Sequence, residues 1–429
     1  MSIFKAYDIR GVYPREINEE VAERLGRAIA RYFKTTVVVG RDTRLSSPAL
    51  FKGLAKGITG EGYDVVDVGI IDAPGLYFAT AYYDFKAGIM ITASHNPKEY
   101  NGLKICRAGA IPVGSDSGLK DIEELFENIP VLSDSKRRGK IVEKDILNDY
   151  ADHLMHFYKG AKHKAVVDCS NGATVRIVHK LQEKGIELKV INDEMNGNFP
   201  AHEPNPLKEE NLQQLRDSME DAELGICLDG DGDRVGIVYE GETIRNDFIT
   251  AIIAKEMLRA NPGATILYDL RSSRVVREEI ERAGGRAVMC RVGHAFIKKQ
   301  MREEDALFAG ELSGHFYYRE NYFADSGPIT MLLLLGIENM DTQGLKRYFP
   351  SGEINVEVND PQAALKRVEE KFAGRGKIFY LDGISFECED YWFNVRPSNT
   401  EPLVRINVES NNKERTQAVV RLLLGTVKD

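Results

Sequence analysis

Asp229, Asp231 and Asp233 stand at a spacing of two in the segment DGDGDR, with a glycine between each pair. Three crowded anions are unfavourable unless a cation neutralises them. Oxygen ligands of this kind suit a hard divalent cation. In an extended segment the period of two aims all three carboxylates to one side, while Gly230 and Gly232 let the backbone turn tightly. An EF-hand is the obvious competitor, since Glu240 falls at its twelfth position. Its sixth position, however, needs Gly and here holds Arg234, and VGIVY continues as a strand, so that reading fails. The plain alternative is a solvated acidic turn.

A second candidate lies in FKAGIMITASHNPKEYNGLK, where an apolar run ends in a small-residue turn presenting Ser94 and His95. Asn96-Pro97 and Asn101-Gly102 are turn formers, and a turn serine is the bland reading. Nucleophilic hydrolysis needs a base and an orienting acid. His95, as the next residue, is expected to point away from the Ser94 side chain, and G-x-S-x-G is absent. What remains is a hydroxyl that carries a phosphoryl group. A metal loop would neutralise that group, and Arg10, Lys104 and Arg234 would hold the migrating oxygens. The same acidic loop could serve an aspartyl-phosphate phosphatase, with Asp229 as nucleophile and Asp231 as acid/base, but Ser94 would then have no role.

RPSNTEP, at 396–402, offers a guanidinium, two hydroxyls and an amide within five residues. Such a turn can wrap a phosphate, with Arg396 giving bidentate recognition, or it can simply satisfy itself. GELSGH puts Glu311 and Ser313 on one side of an extended loop, with His315 two residues on. Carboxylate and hydroxyl pairs suit sugar hydroxyls, which both donate and accept. AYDIRG, with Tyr7 and Arg10, and RVGH, with Arg291 and His294, are weaker signals.

The elements that must position these residues show as a repeat of architecture. TTVVVGRDTR, a helical PALFKGLAKGITG, DVVDVG and AGIMI form one run of strands and helix. KAVVDCSNG, VRIVHKLQEKG, ELKVIND and LGICL repeat the pattern up to the acidic loop, and TILYDLRSS, AVMCRVGH and LFAGELSGH repeat it again. Strands alternating with amphipathic helices predict α/β units with largely parallel pairing, and ligands then sit outside the carboxyl ends of strands. After about residue 350 the texture changes: SFECEDYWFNVRPSNTEPLVRINVES reads as two antiparallel strands around a polar turn, closed by the helix KERTQAVVRLLLGTV. The fold class expected is α/β, with four domains around a central cleft: three similar units with mixed sheets and a C-terminal α+β domain. The domains are read as 1–143, 144–243, 244–350 and 351–429.

A chain of 429 residues agrees with several domains at about 150 residues each. With 43% hydrophobic and 29% charged residues it reads as globular, and a net charge of −9 gives no footprint for nucleic acid. The start lacks the apolar core of a signal peptide. No apolar run nears the ~20 residues of a membrane span, and ITMLLLLGI reads as one buried helix. The five cysteines are scattered with no CxxC pair, against a disulfide framework or a zinc site. A cytoplasmic enzyme is expected, with no nucleic acid or membrane partner.

TASHNP, DGDGDR, GELSGH and RPSNTEP, in this order over nearly the whole chain, resemble the α-D-phosphohexomutase family, in its phosphomannomutase/phosphoglucomutase branch. The resemblance implies a serine phosphorylated in the resting enzyme, Ser94, and Mg²⁺ held by Asp229, Asp231, Asp233 and the Ser94 phosphate. It implies a sugar loop containing Glu311 and Ser313, and a phosphate loop of Arg396, Ser398, Asn399 and Thr400. Tyr7 and Arg10 would lie near the phosphoserine, with His95, Lys104, Arg234 and His315 lining the reaction centre. Lys104 and His95 are the nearest candidates for general acid and base, and Lys104 would need a depressed pKa to act as base. Many relatives carry Lys where this chain has Arg291, which could bind phosphate but not release a proton.

The activity implied is interconversion of hexose 1-phosphate and 6-phosphate through a 1,6-bisphosphosugar, which also serves as primer. Phosphoglucosamine mutases tend to carry GEQSGH and RPSGTEP. Leu312 and Asn399 depart from these, which favours mannose or glucose, and YYRENYFADSGP looks like the phosphomannomutase end of the branch. The alternatives are phosphoglucosamine mutase and a non-catalytic sugar-phosphate sensor.

Overall fold

The computed structural model describes residues 2–129, 138–398 and 402–428. The chain forms two compact units: Met1–Asn246 with Met301–Phe308 and Ser313–Glu338, and Asp247–Gln300 with Ala309–Leu312 and Asn339–Asp429.

The first unit holds two mixed sheets. One runs in the order Ile9–Val12, Tyr100–Arg107, Ala87–Ile91, Val37–Arg41, Val65–Ile70, Ile141–Glu143, with Ile111–Pro112 paired to Tyr100–Arg107. Val37–Arg41 is parallel to both Ala87–Ile91 and Val65–Ile70, as β-α-β connections require. Tyr100–Arg107 returns antiparallel to Ala87–Ile91. The helix Glu19–Phe33 covers this sheet: the Asn18 side chain caps it by accepting from Val21 N, Glu19 and Glu20 sit in its first turn, and Leu25 and Ile29 are buried.

The second sheet runs Glu242–Ile244, Val235–Tyr239, Leu224–Leu228, Ala165–Asp168, Lys189–Ile191. Ala165–Asp168 is parallel to Leu224–Leu228 and Lys189–Ile191, whereas Leu224–Leu228 and Val235–Tyr239 form an antiparallel hairpin. The run ITMLLLLG is the interior of the buried helix Gly327–Gly336. Among the described residues, no helix is long and apolar enough to cross a membrane.

In the second unit Thr265–Asp269 pairs in parallel with Arg286–Cys290 beside the helix Arg274–Arg282. The C-terminal sheet is antiparallel throughout: Phe349–Glu357, Leu403–Ser410, Tyr391–Pro397, Ile384–Glu387, Lys377–Phe379. The segment read as two strands around one turn thus contributes three. Cys388–Asp390 interrupts the first stretch where Cys388 N returns to Tyr391 O, at 3.0 Å. Phe372, Phe386, Phe393 and Leu423 form the core beneath the helices Pro361–Phe372 and Lys413–Lys428.

Candidate active site

Ser94 lies three residues past the end of Ala87–Ile91 and the acidic turn directly follows Leu224–Leu228, both at carboxyl ends of strands in the first unit. The turn reverses the hairpin: Asp229 N donates to Arg234 O at 3.2 Å, and Gly232 sits at φ +74°. The expectation of an extended segment is therefore corrected. The carboxylates converge because a tight turn folds them together, so that one oxygen from each of Asp229, Asp231 and Asp233 lies within 4.8 Å of the others. Gly230 is required for another reason, since a Cβ there would stand 2.9 Å from Ser94 O and 3.3 Å from the Pro204 ring.

Ser94 is 1% exposed, not the surface turn residue its neighbours suggest, and its backbone is left-handed at φ +51°. Ser94 Oγ–H donates to Asp229 Oδ2 at 2.9 Å, and His95 Nδ1 lies 3.2 Å from Ser94 Oγ itself. The expectation that His95 points away from its neighbour is thereby overturned: the left-handed Ser94 brings both side chains to one side. Burial, then the charges of Arg234 and Arg10, push the His95 pKa down to about 2, so the imidazole is neutral.

The loop is held by a residue that the motif reading passed over. Arg44, 1% exposed, bonds Asp42 through Nε (3.0 Å) and four backbone carbonyls through its other nitrogens: Ser94 O, Asn96 O and Pro97 O at 2.7 Å and Tyr100 O at 3.1 Å. Its signal was GRDTR at the end of Val37–Arg41, two cations at the carboxyl end of a buried strand. Arg10 pairs with Asp8 and donates to Asn96 Oδ1 at 2.6 Å.

Lys104, from Tyr100–Arg107, bridges Asp231 Oδ2 (2.7 Å) and Asp233 Oδ2. Burial opposes its charge, but Asp231 and Asp233 outweigh burial and push its pKa well up. The depressed pKa that a base needs is absent in this state. Burial and the neighbouring carboxylates push Asp229 and Asp231 up; burial opposes the charge on Asp233 too, but Lys104, His315 and Arg234 together outweigh it and hold that carboxyl down. Arg234 N donates to Asp229 Oδ1 at 3.2 Å and its Nε to His315 Nε2 at 3.2 Å. On its other side His315 Nδ1 lies 3.0 Å from Ser313 Oγ.

The donor set fits a hard divalent cation. Asp231 Oδ1 is buried with no hydrogen-bond partner among the described residues, Asp233 Oδ1 has only His315 Nε2 at 3.4 Å, and every candidate ligand atom is an oxygen. Behind the turn, His202 is clamped between Asp168 Oδ2 at 2.9 Å and Glu203 O at 2.8 Å, and so tethers the Pro204 segment that packs on Gly230. Both ring nitrogens face acceptors. Burial opposes a charge on His202, but the Asp168 hydrogen bond and charge outweigh it and raise the pKa.

The remaining expected residues divide between the units. Tyr7 is half-buried in the first, ahead of Ile9–Val12. The GELSGH segment turns at Leu312 and Ser313, with Gly314 at φ +85°, so it is not the extended loop expected. Glu311, in the second unit, accepts from Gly293 N at 3.1 Å, and Leu312 N donates to Asp269 Oδ2 at 2.8 Å. Arg271 also holds Asp269, through Nη2 at 2.6 Å, a contact with no motif to announce it. Arg291 stacks on Phe296, 4.0 Å from the ring centre, and His294 opens the helix His294–Glu303. Arg396 donates to Glu353 Oε2 at 2.5 Å, and Ser398 N to Leu403 O at 2.9 Å. Asn399 and Thr400 lie outside the described residues.

Comparison with known proteins covers nearly the whole chain. Residues 1–131, 148–242 and 245–349 match the phosphoglucomutase/phosphomannomutase alpha/beta/alpha domains I, II and III, and 353–424 match the C-terminal domain of the same family. A phosphomannomutase of Methanocaldococcus jannaschii is 40% identical, covering 99% of this chain and 98% of its own. A phosphomannomutase of Escherichia coli K12 is 39% identical over 99% of both. A crystal structure of a phosphoglucomutase/phosphomannomutase family protein from Burkholderia thailandensis superposes with a TM-score of 0.90 at 32% identity, covering 99% of this chain and 97% of that one.

Proposed function

The chain belongs to the phosphoglucomutase/phosphomannomutase family, and from that premise we propose that it interconverts the 1- and 6-phosphates of a hexose, mannose first and glucose second. The observation that carries this reading is Ser94 Oγ, 2.9 Å from Asp229 Oδ2, inside a carboxylate cluster that Lys104 bridges. A hydroxyl set so deep among anions is poorly placed to attack a neutral ester, but well placed to carry a phosphoryl group once a cation is bound.

The two oxygens of one sugar are too far apart for a phosphate to pass directly between them in line. Phosphorylated Ser94 therefore lends its group to the free end. The bond from Ser94 Oγ to phosphorus breaks as the bond to the sugar hydroxyl forms, and the hydroxyl proton leaves to the cluster. The resulting 1,6-bisphosphosugar turns around, and Ser94 recovers the other phosphoryl group by the reverse step. A 1,6-bisphosphate would prime an unphosphorylated chain.

Asp229, Asp231 and Asp233, with the Ser94 phosphate, would hold Mg²⁺, which when bound supplies charge neutralisation at the transferred oxygens. Arg10, Arg234 and Lys104 stabilise the same oxygens. Lys104, protonated, acts as donor, so proton acceptance falls to a carboxylate or to the neutral imidazole of His95. Glu311 and Ser313 serve the sugar hydroxyls, Tyr7 flanks the phosphoserine, and Arg291 and His294 contact the substrate. Arg396, Ser398, Asn399 and Thr400 take the phosphate that is not in transfer.

The test is a coupled assay with mannose 1-phosphate and with glucose 1-phosphate, each with Mg²⁺ and a trace of its 1,6-bisphosphate. Isomerisation, fastest with mannose, is expected. Net release of phosphate, or no turnover of either sugar, would contradict the reading.

A further inference from the structure

The C-terminal sheet brings two arginines face to face. Arg396 and Arg405 are register partners on the neighbouring strands Tyr391–Pro397 and Leu403–Ser410. Like charges directly opposite are destabilising unless an anion lies with them. Glu353, from Phe349–Glu357 on the far side of Leu403–Ser410, is that anion. Its Oε2 accepts from Arg396 Nη2 at 2.5 Å, and its Oε1 from Arg405 Nη1 at 3.3 Å. Burial opposes the charge on Glu353, but Arg396, then Arg271 and Arg405, hold its pKa below the usual carboxylate range.

One carboxylate does not exhaust these donors. Arg396 is 7% exposed, yet its buried Nε has no hydrogen-bond partner among the described residues, and neither has that of Arg405. Arg396 Nη1 reaches only to 3.7 Å from Asp382 Oδ2. A guanidinium presents five donors in a fixed fork. Here most of that fork is desolvated, and a phosphate with three terminal oxygens would fill more of it than Glu353 does.

We propose that Glu353 is an internal counter-anion for Arg396, which holds the guanidinium between turnovers and yields it to the substrate phosphate that is not being transferred. The inference rests on the reading that Arg396 binds that phosphate. Glu353 is then a positioning residue that weakens ground-state binding. A mutase needs that weakness, because the clamp must release one phosphate of the bisphosphosugar and accept the other within each turnover. A competing anion already in place lowers the cost of letting go.

The experiment is calorimetric titration of the full-length protein with mannose 1-phosphate, alongside steady-state kinetics, for wild type, Glu353→Gln, Glu353→Ala and Arg396→Gln. Both Glu353 variants are expected to bind about five- to tenfold more tightly, with KM lowered to match and kcat lowered as release slows. Glu353→Ala leaves no amide behind, so agreement between the two separates lost charge from a new hydrogen bond. Unchanged or weaker binding in both overturns the inference, while weakened binding in Arg396→Gln leaves the clamp itself standing. Wild-type binding by Arg396→Gln instead removes the clamp reading and this inference with it.

Discussion

The charge assembly around Ser94 and the one around Glu353 are near mirror images. The first is three buried carboxylates, two of them bridged by a single lysine. The second is a single carboxylate shared by two arginines on a half-covered sheet. Around Ser94 nothing can move without leaving an anion unpaired in the interior, where that is most costly. Around Glu353 the carboxylate and Arg405 are partly exposed and the donors of both arginines are partly unfilled, so one anion can be exchanged for another without leaving Arg396 unpaired. The first arrangement suits chemistry at a fixed point; the second suits a ligand that must come and go. Substitutions near Ser94 should therefore act on kcat, and those near Arg396 on KM.

The sharpest break of that contrast comes from Ser94→Ala. Turnover is expected to fall by at least ~10³-fold, with a stability loss of only about 1–3 kcal/mol from the Asp229 oxygen that loses its donor. Asp231→Asn comes next: kcat down by roughly 10²-fold, with the Mg²⁺ titration shifted to higher concentration. An unshifted titration would count against the acidic turn as the metal site. Arg44→Lys keeps the charge but loses the fork that gathers four carbonyls. It should lower kcat about tenfold and reduce stability by a few kcal/mol, of order the cost of breaking a buried pair, read from kinetics and urea unfolding together. Arg396→Gln should raise KM for mannose 1-phosphate about tenfold with a smaller change in kcat.

The smallest effect is a pH dependence. His202 has a raised pKa from Asp168, so its contribution to stability is complete below the unfolded value of about 6.5. That contribution is lost as pH rises through the higher folded value. His202→Asn should flatten the slope of unfolding free energy with pH just above that point. A slope identical to wild type would assign the tether no charge.

Much of this was legible from residue types alone. DGDGDR announced a carboxylate cluster through its spacing, and its glycines announced a turn, although the convergence comes from the reversal at Gly232 and not from strand alternation. The α/β repeats were legible because β-branched runs and amphipathic helices alternate, and the buried helix Gly327–Gly336 because its apolar run is too short to span a membrane. What stayed hidden were partners far apart in the chain. Nothing local tells that Arg44 gathers the carbonyls after Ser94, that Asp168 holds His202, or that Glu353 meets Arg396 two strands away. His95 was misjudged because the left-handed backbone of Ser94, which no composition rule predicts for serine, decides where both side chains point.

Intact mass of the protein before and after incubation with glucose 1,6-bisphosphate, wild type against Ser94→Ala, tests the central claim most directly. The account predicts one added phosphoryl group on wild type, lost again on incubation with excess hexose monophosphate, and none on Ser94→Ala. An equal mass gain on both proteins, or no gain on either, would contradict it.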